Sequence, residues 1–412
     1  RDRNNILISL YKLLTIRGKM KKLIMTATIF VMTMTSNVLA DIKMGIILGF
    51  TGPIESLTPA MAASAELAFK EASDSGSLLG GEKISIERAD STCVDSAAAT
   101  TAAEGLVSGG VVAIMGADCS GVTGAIATNV AVPNGVVMIS PSATSPGLTD
   151  LNDNGYFFRT APSDARGGQI LADITKDRKV KSIAVTHTNN DYGKGLADVY
   201  VAAVKAHGIN VTAVTAHEEG KGDYGAEVAT LAAAGGDALA VLGYLDQAGG
   251  MIIQGSLDSG AFDVFVLSDG MIGDSLTDRF GKDLNKSFGS LPGSTGKGAG
   301  KFAEVAKAGG IDSSGPYTGE SYDAAALIAL SMQAGGKADR GTIQANVMNV
   351  ANAPGTKIYP GELKKALDLL AKGKKVNYEG ATGVEFTDVG EAFGSFLEKE
   401  IKGGKFKTKK QR

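Results

Sequence analysis

The chain has 412 residues, more than one domain usually holds, and 44% of them are hydrophobic, enough for two sizeable cores. Its 41 basic and 44 acidic side chains leave a formal charge of −3. That balance argues against a nucleic-acid binder, which needs a basic surplus or a basic face.

Residues 1–19 form no convincing pattern and are read as an upstream extension. From Met20 the text changes. Lys21 and Lys22 give a positive start, Leu23 to Met34 a short apolar core, and Val38-Leu39-Ala40 small or modest residues at a cleavage position. This is the order of a secretory signal peptide over 20–40, with a core too short to span a bilayer comfortably. The mature chain is then expected to start at Asp41 and to work in the periplasm. The later apolar stretch at 230–245 is broken by Gly235, Gly236 and Asp237, so no integral membrane protein is expected.

"IKMGIILGF" (42–50) suits a buried strand, broken by Thr51-Gly52-Pro53. Thr58 before Pro59 reads as a helix N-cap, with Met61, Ala65, Ala68 and Phe69 following at helical spacing. Strand 83–90, a helix capped by Ser96, strand 111–115, a helix from Ser120 and a strand ending at Ser140 continue the alternation. The rhythm resumes beyond 156–164 with strands near 180–188, 209–216, 237–244 and 263–270, separated by helices. Residues 320–336 read as an amphipathic helix, 383–406 as terminal strands with a turn, and 407–412 as a basic tail facing solvent. Strand and helix in regular turn imply an α/β fold with parallel sheets covered on both faces. Ligands of such sheets bind in the loops beyond the carboxyl ends of the strands, here 50–56, 117–121 and 140–146.

Export changes the reading of the two cysteines, Cys93 and Cys119. Thiols in an oxidising compartment are expected to pair where geometry permits. A catalytic thiol is the weaker alternative, because no histidine stands in a familiar motif with Cys119. Metal binding is weaker still, without a close His/Cys cluster. Nucleotide motifs fail: "PGSTGKGAG" around Lys297 lacks the first glycine of a phosphate loop, and Gly298 stands where serine or threonine belongs. "GADCSG" has one residue too many for a nucleophile elbow at Ser120. Neither an enzyme nor a cofactor is therefore expected.

What remains suits the capture of an amino acid. Ser120 sits where a loop enters a helix, with backbone N–H groups to receive a carboxylate. Thr144 adds a second hydroxyl, Asp269 ends a strand and suits an ammonium, and Tyr192 and Tyr244 supply flat faces with polar tips.

Taken together, these stretches resemble a periplasmic substrate-binding protein of the branched-chain amino-acid (Leu/Ile/Val-binding) type, from ATP-driven uptake systems. The resemblance runs from about Ile42 to Phe406. It is carried by "LGFTGP" (48–53), "DSTCVDSAAA", "GADCSGVT", "MISPSATSPGLT" (138–149), "FFRTAPSD" (157–164), "DYGKGLA" (191–197) and "SYDAAALIA" (321–329). It implies the type I periplasmic-binding-protein fold, two Rossmann-like lobes with parallel sheets joined by three crossings. The boundaries read as 41–160 plus about 270–380 for lobe 1, and 161–269 plus about 383–406 for lobe 2. It also implies a Cys93–Cys119 disulfide.

Carried residue by residue, Ser120 and Thr144 fall on carboxylate-binding positions, with Ala143 and Thr144 near the ammonium. Tyr192 and Tyr244 fall on pocket aromatics, and Asp269 on the acidic partner of the ammonium, one methylene shorter than the usual glutamate. Residues 51–59 depart from the family's small-residue loop, which makes Glu55 a candidate for the side-chain pocket and for a polar or cationic ligand. The implied partners are an amino acid or amide, a membrane permease and its ATPase subunits, with the binding protein itself a monomer. A ligand-sensing module acting on a receptor or regulator is the alternative role for the same architecture.

Overall fold

The computed structural model describes residues 41–412. Residues 1–40, which hold the upstream extension and the signal peptide expected from the sequence, lie outside the described residues.

Strand β1 (Ile42–Leu48) is buried at every position but Lys43, as the centre of a sheet covered on both faces requires. The loop after it leads to α1 (Thr58–Asp74). Leu57, not Thr58, is the N-cap, and the Thr58 hydroxyl instead donates to the Gly49 carbonyl at 3.0 Å, tying the helix start to the strand end. Strand β2 (Ile84–Asp90) leads to α2 (Ser96–Ser108), which is capped by Asp95 rather than Ser96. The Asp95 carboxylate accepts from the N–H groups of Ala97 and Ala98, each at 3.0 Å, the geometry that makes Asp a strong cap. Strand β3 (Ala113–Gly116), α3 (Ser120–Ile126), β4 (Val137–Ser140) and β5 (Phe157–Arg159) complete a five-stranded sheet of order β2-β1-β3-β4-β5, parallel throughout.

The second sheet begins beyond α4 (Asp164–Asp177). It takes β6 (Ser182–Thr188), α5 (Asp191–Ala206), β7 (Asn210–His217), α6 (Gly225–Ala234), β8 (Ala238–Leu242), α7 (Ala248–Ser259), β9 (Phe265–Leu267), α8 (Asp274–Phe280) and β10 (Phe288–Pro292). The chain then returns to the first sheet through α9 (Lys297–Ala308), α10 (Thr318–Gly335), which packs on α1, and α11 (Arg340–Ala351). A small parallel pair, β11 (Thr356–Ile358) and β12 (Val376–Tyr378), flanks α12 (Leu363–Ala371). Last come β13 (Phe396–Lys402) and β14 (Lys405–Gln411), which close the second sheet in the order β14-β13-β10-β9-β8-β6-β7. The chain thus passes between two α/β lobes three times. Among the described residues no helix is long and apolar enough to cross a membrane.

Three further expectations need correction. The first return from lobe 2 comes after β10, near residue 293, not near 270, because α8 and β10 still belong to the second sheet. Residues 407–412 are no free tail: most of them form β14, an edge strand whose lysines leave it solvated and unattractive to further pairing. Helix α10 is not amphipathic but buried on all sides from Thr318 to Met332 apart from Gly319. Its Asp323 is tolerated inside because Tyr378, Ala381 and Thr382 saturate the carboxylate with donors.

Candidate functional site

The loops after β1, β3 and β4 converge at one end of the first sheet. Cys93 and Cys119 are joined by a disulfide, their Cα atoms 5.1 Å apart. Beside it, the buried Asp118 carboxylate accepts from the Gly49 N–H at 2.5 Å and from Ser91 Oγ and the Cys119 N–H at 2.9 Å each. Burial pushes this carboxyl above its usual range, against the pull of those donors. Asp118 therefore acts as the staple of three loops.

The next loop is tied down the same way. Ser140 Oγ accepts from the Ala143 N–H at 3.0 Å, and Ser142 Oγ donates to the Asp118 carbonyl at 3.1 Å. The fully buried Arg159 donates to the carbonyls of Ala143 (3.2 Å) and Ser145 (2.8 Å) and pairs with Glu391. Ser120 Oγ accepts from the Ser145 N–H at 3.0 Å, which leaves its own hydroxyl proton free.

From the second lobe come Tyr192, in the first turn of α5, and Tyr244, just past β8. Asn190 caps α5 by accepting from the Gly193 N–H at 3.0 Å, and so fixes the helix start that carries Tyr192. The two rings stack with centroids 5.1 Å apart and planes 18° from parallel. Tyr192 donates its hydroxyl proton to Asp269 Oδ1 at 2.6 Å, and Tyr317, from the other lobe, donates to Oδ2. Burial raises the Asp269 carboxyl, while the two tyrosines pull it back down.

These groups line a narrow cleft between the lobes with a cavity volume of about 20 Å³, little more than one water needs. The lining combines the aliphatic side chains of Ile54, Leu57 and Met61 with polar groups from Ser120, Ser142, Asp118 and Asp269. Among the described residues no lysine, arginine or histidine lines it.

Four of the sequence-derived residues meet in this lining: Ser120, Tyr192, Tyr244 and Asp269. Ala143 and Thr144 are buried just behind it, where the Thr144 carbonyl accepts from the Asp164 N–H at 2.8 Å. Glu55 is exposed and outside the lining; its neighbour Ile54 turns inward instead, because the loop 53–57 buries Pro53, Ile54 and Leu57 and leaves Glu55 and Ser56 to solvent. Sequence reasoning missed Tyr317, whose backbone sits in the left-handed region at φ +60°, and Asp164. Asp164 is buried with Oδ2 unpaired, and burial and the nearby Asp269 charge hold its carboxyl well above the usual range. The "RTAPSD" segment, read only as part of the family resemblance, was a signal that could have found Asp164; nothing in the sequence marked Tyr317.

The periplasmic binding protein family model matches residues 41–361. Leu/Ile/Val-binding protein homolog 3 of Brucella melitensis is 32% identical over 222 residues, 54% of this chain and 59% of that protein. Leu/Ile/Val-binding protein homolog 1 of the same organism is 31% identical over 306 residues, 73% of this chain and 80% of that protein. Among solved structures, a leucine-binding protein, LivK, from Thermotoga maritima superposes with a TM-score of 0.75 at 21% identity, covering 90% of this chain and 98% of that one.

Proposed function

The chain belongs to the periplasmic binding protein family, and we propose that its cleft captures an aliphatic α-amino acid in the periplasm and hands it to an ATP-driven membrane permease. The observation that carries this reading is Asp269. It is a buried carboxylate oriented on both oxygens by tyrosine hydroxyls and set in a cleft that Ile54, Leu57 and Met61 also line. A buried carboxylate without a cationic neighbour in the lining calls for a cation from the ligand. An ammonium at Asp269 and a carboxylate at the Ser120 hydroxyl leave the side chain directed to Ile54, Leu57 and Met61. The names of the relatives, Leu/Ile/Val-binding proteins, agree with that division. No bond is made or broken; ligand contacts from both lobes shift the open form toward the closed one.

Glu55, being outside the lining, gives no ground for a cationic side chain. Calorimetric titration of the chain from Asp41 with leucine, N-acetyl-leucine, lysine and benzoate tests the reading. Leucine binds and the other three do not. N-acetyl-leucine binding as well as leucine would remove the ammonium from Asp269, and preference for lysine would remove the aliphatic contacts.

A further inference from the structure

The two lobes are fastened at the rim of the cleft by a side chain that is not part of its lining. Asp246, two residues past Tyr244, belongs to the second lobe. Its N–H donates to the Pro53 carbonyl at 3.0 Å, and its Oδ2 accepts from the Ser56 N–H at 2.9 Å, both in the first-lobe loop after β1. Its other oxygen accepts from Ser275 Oγ, on α8 of its own lobe, at 2.9 Å, and the Ser56 and Ser275 hydroxyls lie 3.2 Å apart. We infer that Asp246 is an affinity-setting latch, a positioning residue that holds the closed cleft without touching the ligand.

The argument is one of differential contacts. The Ser275 bond lies within one lobe, so it orients the carboxylate whether the cleft is open or closed. The Pro53 and Ser56 bonds cross between lobes and exist only when they close. A bond made in only one of two states shifts the equilibrium toward that state, and does so most when the acceptor is charged. The clasped loop also carries Ile54 and Leu57, so the same bonds set these aliphatic lining residues in place. The lobes also meet through Ser145 Oγ, which donates to the Asp191 carbonyl at 3.0 Å. That contact is between neutral groups, and the Tyr317–Asp269 bond, which also crosses between the lobes, lies inside the cleft lining; Asp246 fastens the lobes with a carboxylate outside it.

The inference rests on the amino-acid reading of the cleft, and leucine is the probe. Asp246→Ala keeps the backbone bond to Pro53 and removes the carboxylate. The expected result is a leucine Kd raised about 5-fold or more, a coupling within the ordinary range for two-state proteins, carried by faster dissociation with association unchanged. The melting temperature of the unliganded protein stays at the wild-type value, which a merely structural role would lower. Unchanged dissociation in Asp246→Ala, or a fall in unliganded stability that accounts for the loss, overturns the latch. Should the wild type bind no amino acid, the reading of the cleft fails, and the latch is still read by cross-linking. A Ser56→Cys/Ser275→Cys pair joins under mild oxidation only when the lobes close. Adding Asp246→Ala must slow that reaction; an equal rate refutes the latch independently of any ligand.

Discussion

Tyr192 and Asp269 share a hydrogen bond of 2.6 Å inside the second lobe, and Tyr317 reaches the remaining oxygen of the same carboxylate from the first. Asp269 is therefore held by both lobes at once. Replacing it with asparagine keeps the shape and removes the charge proposed to meet a ligand ammonium. Losing one member of a buried charge pair costs about 2–5 kcal/mol, so leucine affinity should fall by more than about tenfold. Tyr317→Phe removes one donor and leaves the charge, and should weaken binding less. Titration calorimetry of the two variants gives the order; a Tyr317→Phe loss equal to that of Asp269→Asn would mean the hydroxyl, not the carboxylate, meets the ligand.

The disulfide stands beside the site rather than in its chemistry. It closes a loop of 26 residues and brings Cys119 into the lining next to Ser120. In the chain-entropy account such a loop contributes about 3–4 kcal/mol. Cys93→Ser/Cys119→Ser should lower the unfolding free energy by that order in a urea titration, while the wild type in reductant follows the same curve. A double variant as stable as the oxidised wild type would assign the link no structural role.

The sequence carried the alternation of strands and helices and four of the lining residues, because those signals are local. An apolar run, a turn and a hydroxyl at a strand end can each be read within ten residues or so. What stayed hidden depends on contacts between distant segments. Tyr317 looks like any tyrosine before a helix until Asp269, 48 residues earlier, is brought to its hydroxyl. Glu55 and Ile54 are neighbours in one loop, and only the burial of Pro53, Ile54 and Leu57 decides which of them turns inward. The late return from the second lobe was missed for the same reason: β10 is short, and its membership shows only in its pairing with β9 and β13.

Burial also sets how stability depends on pH. It pushes Glu320 up to about 8, with the neighbouring Asp323 charge adding to it, and Glu219 up to about 7. Between the usual carboxylate value and these, the folded chain keeps protons that the unfolded chain has released. Stability conferred by the neutral carboxyls therefore falls as pH rises toward 8. His217, lowered by burial to about 4, acts in the opposite sense, costing stability as pH falls from about 6.5. From there to pH 8 the carboxyl effect is unopposed by His217. Glu320→Gln should be more stable relative to wild type at pH 8 than at pH 5. Parallel melting curves across that range would show that Glu320 carries no raised pKa in the folded chain.

The closed cleft leaves no room at two glycines, and they differ in what a methyl group would strike. At Gly273 a Cβ would lie 2.7 Å from Leu245 Cδ1 and 2.9 Å from Leu57 Cδ2. Leu57 arrives with the first lobe, so that part of the crowding exists only after closure, while the nearer Leu245 Cδ1, in the same lobe, is the free end of a flexible side chain and can swing aside. At Gly270 a Cβ would lie 2.5 Å from the Gly243 carbonyl oxygen, a backbone atom of the same lobe that cannot move aside. Overpacking of this kind costs about 1–3 kcal/mol. Gly273→Ala should therefore weaken leucine binding by about 5-fold while the unliganded melting temperature holds. Gly270→Ala should lower that temperature as well, because its clash is present whether or not the lobes meet. Equal melting temperatures for both variants, with equal losses of affinity, would mean that the crowding at Gly270 is relieved within its own lobe.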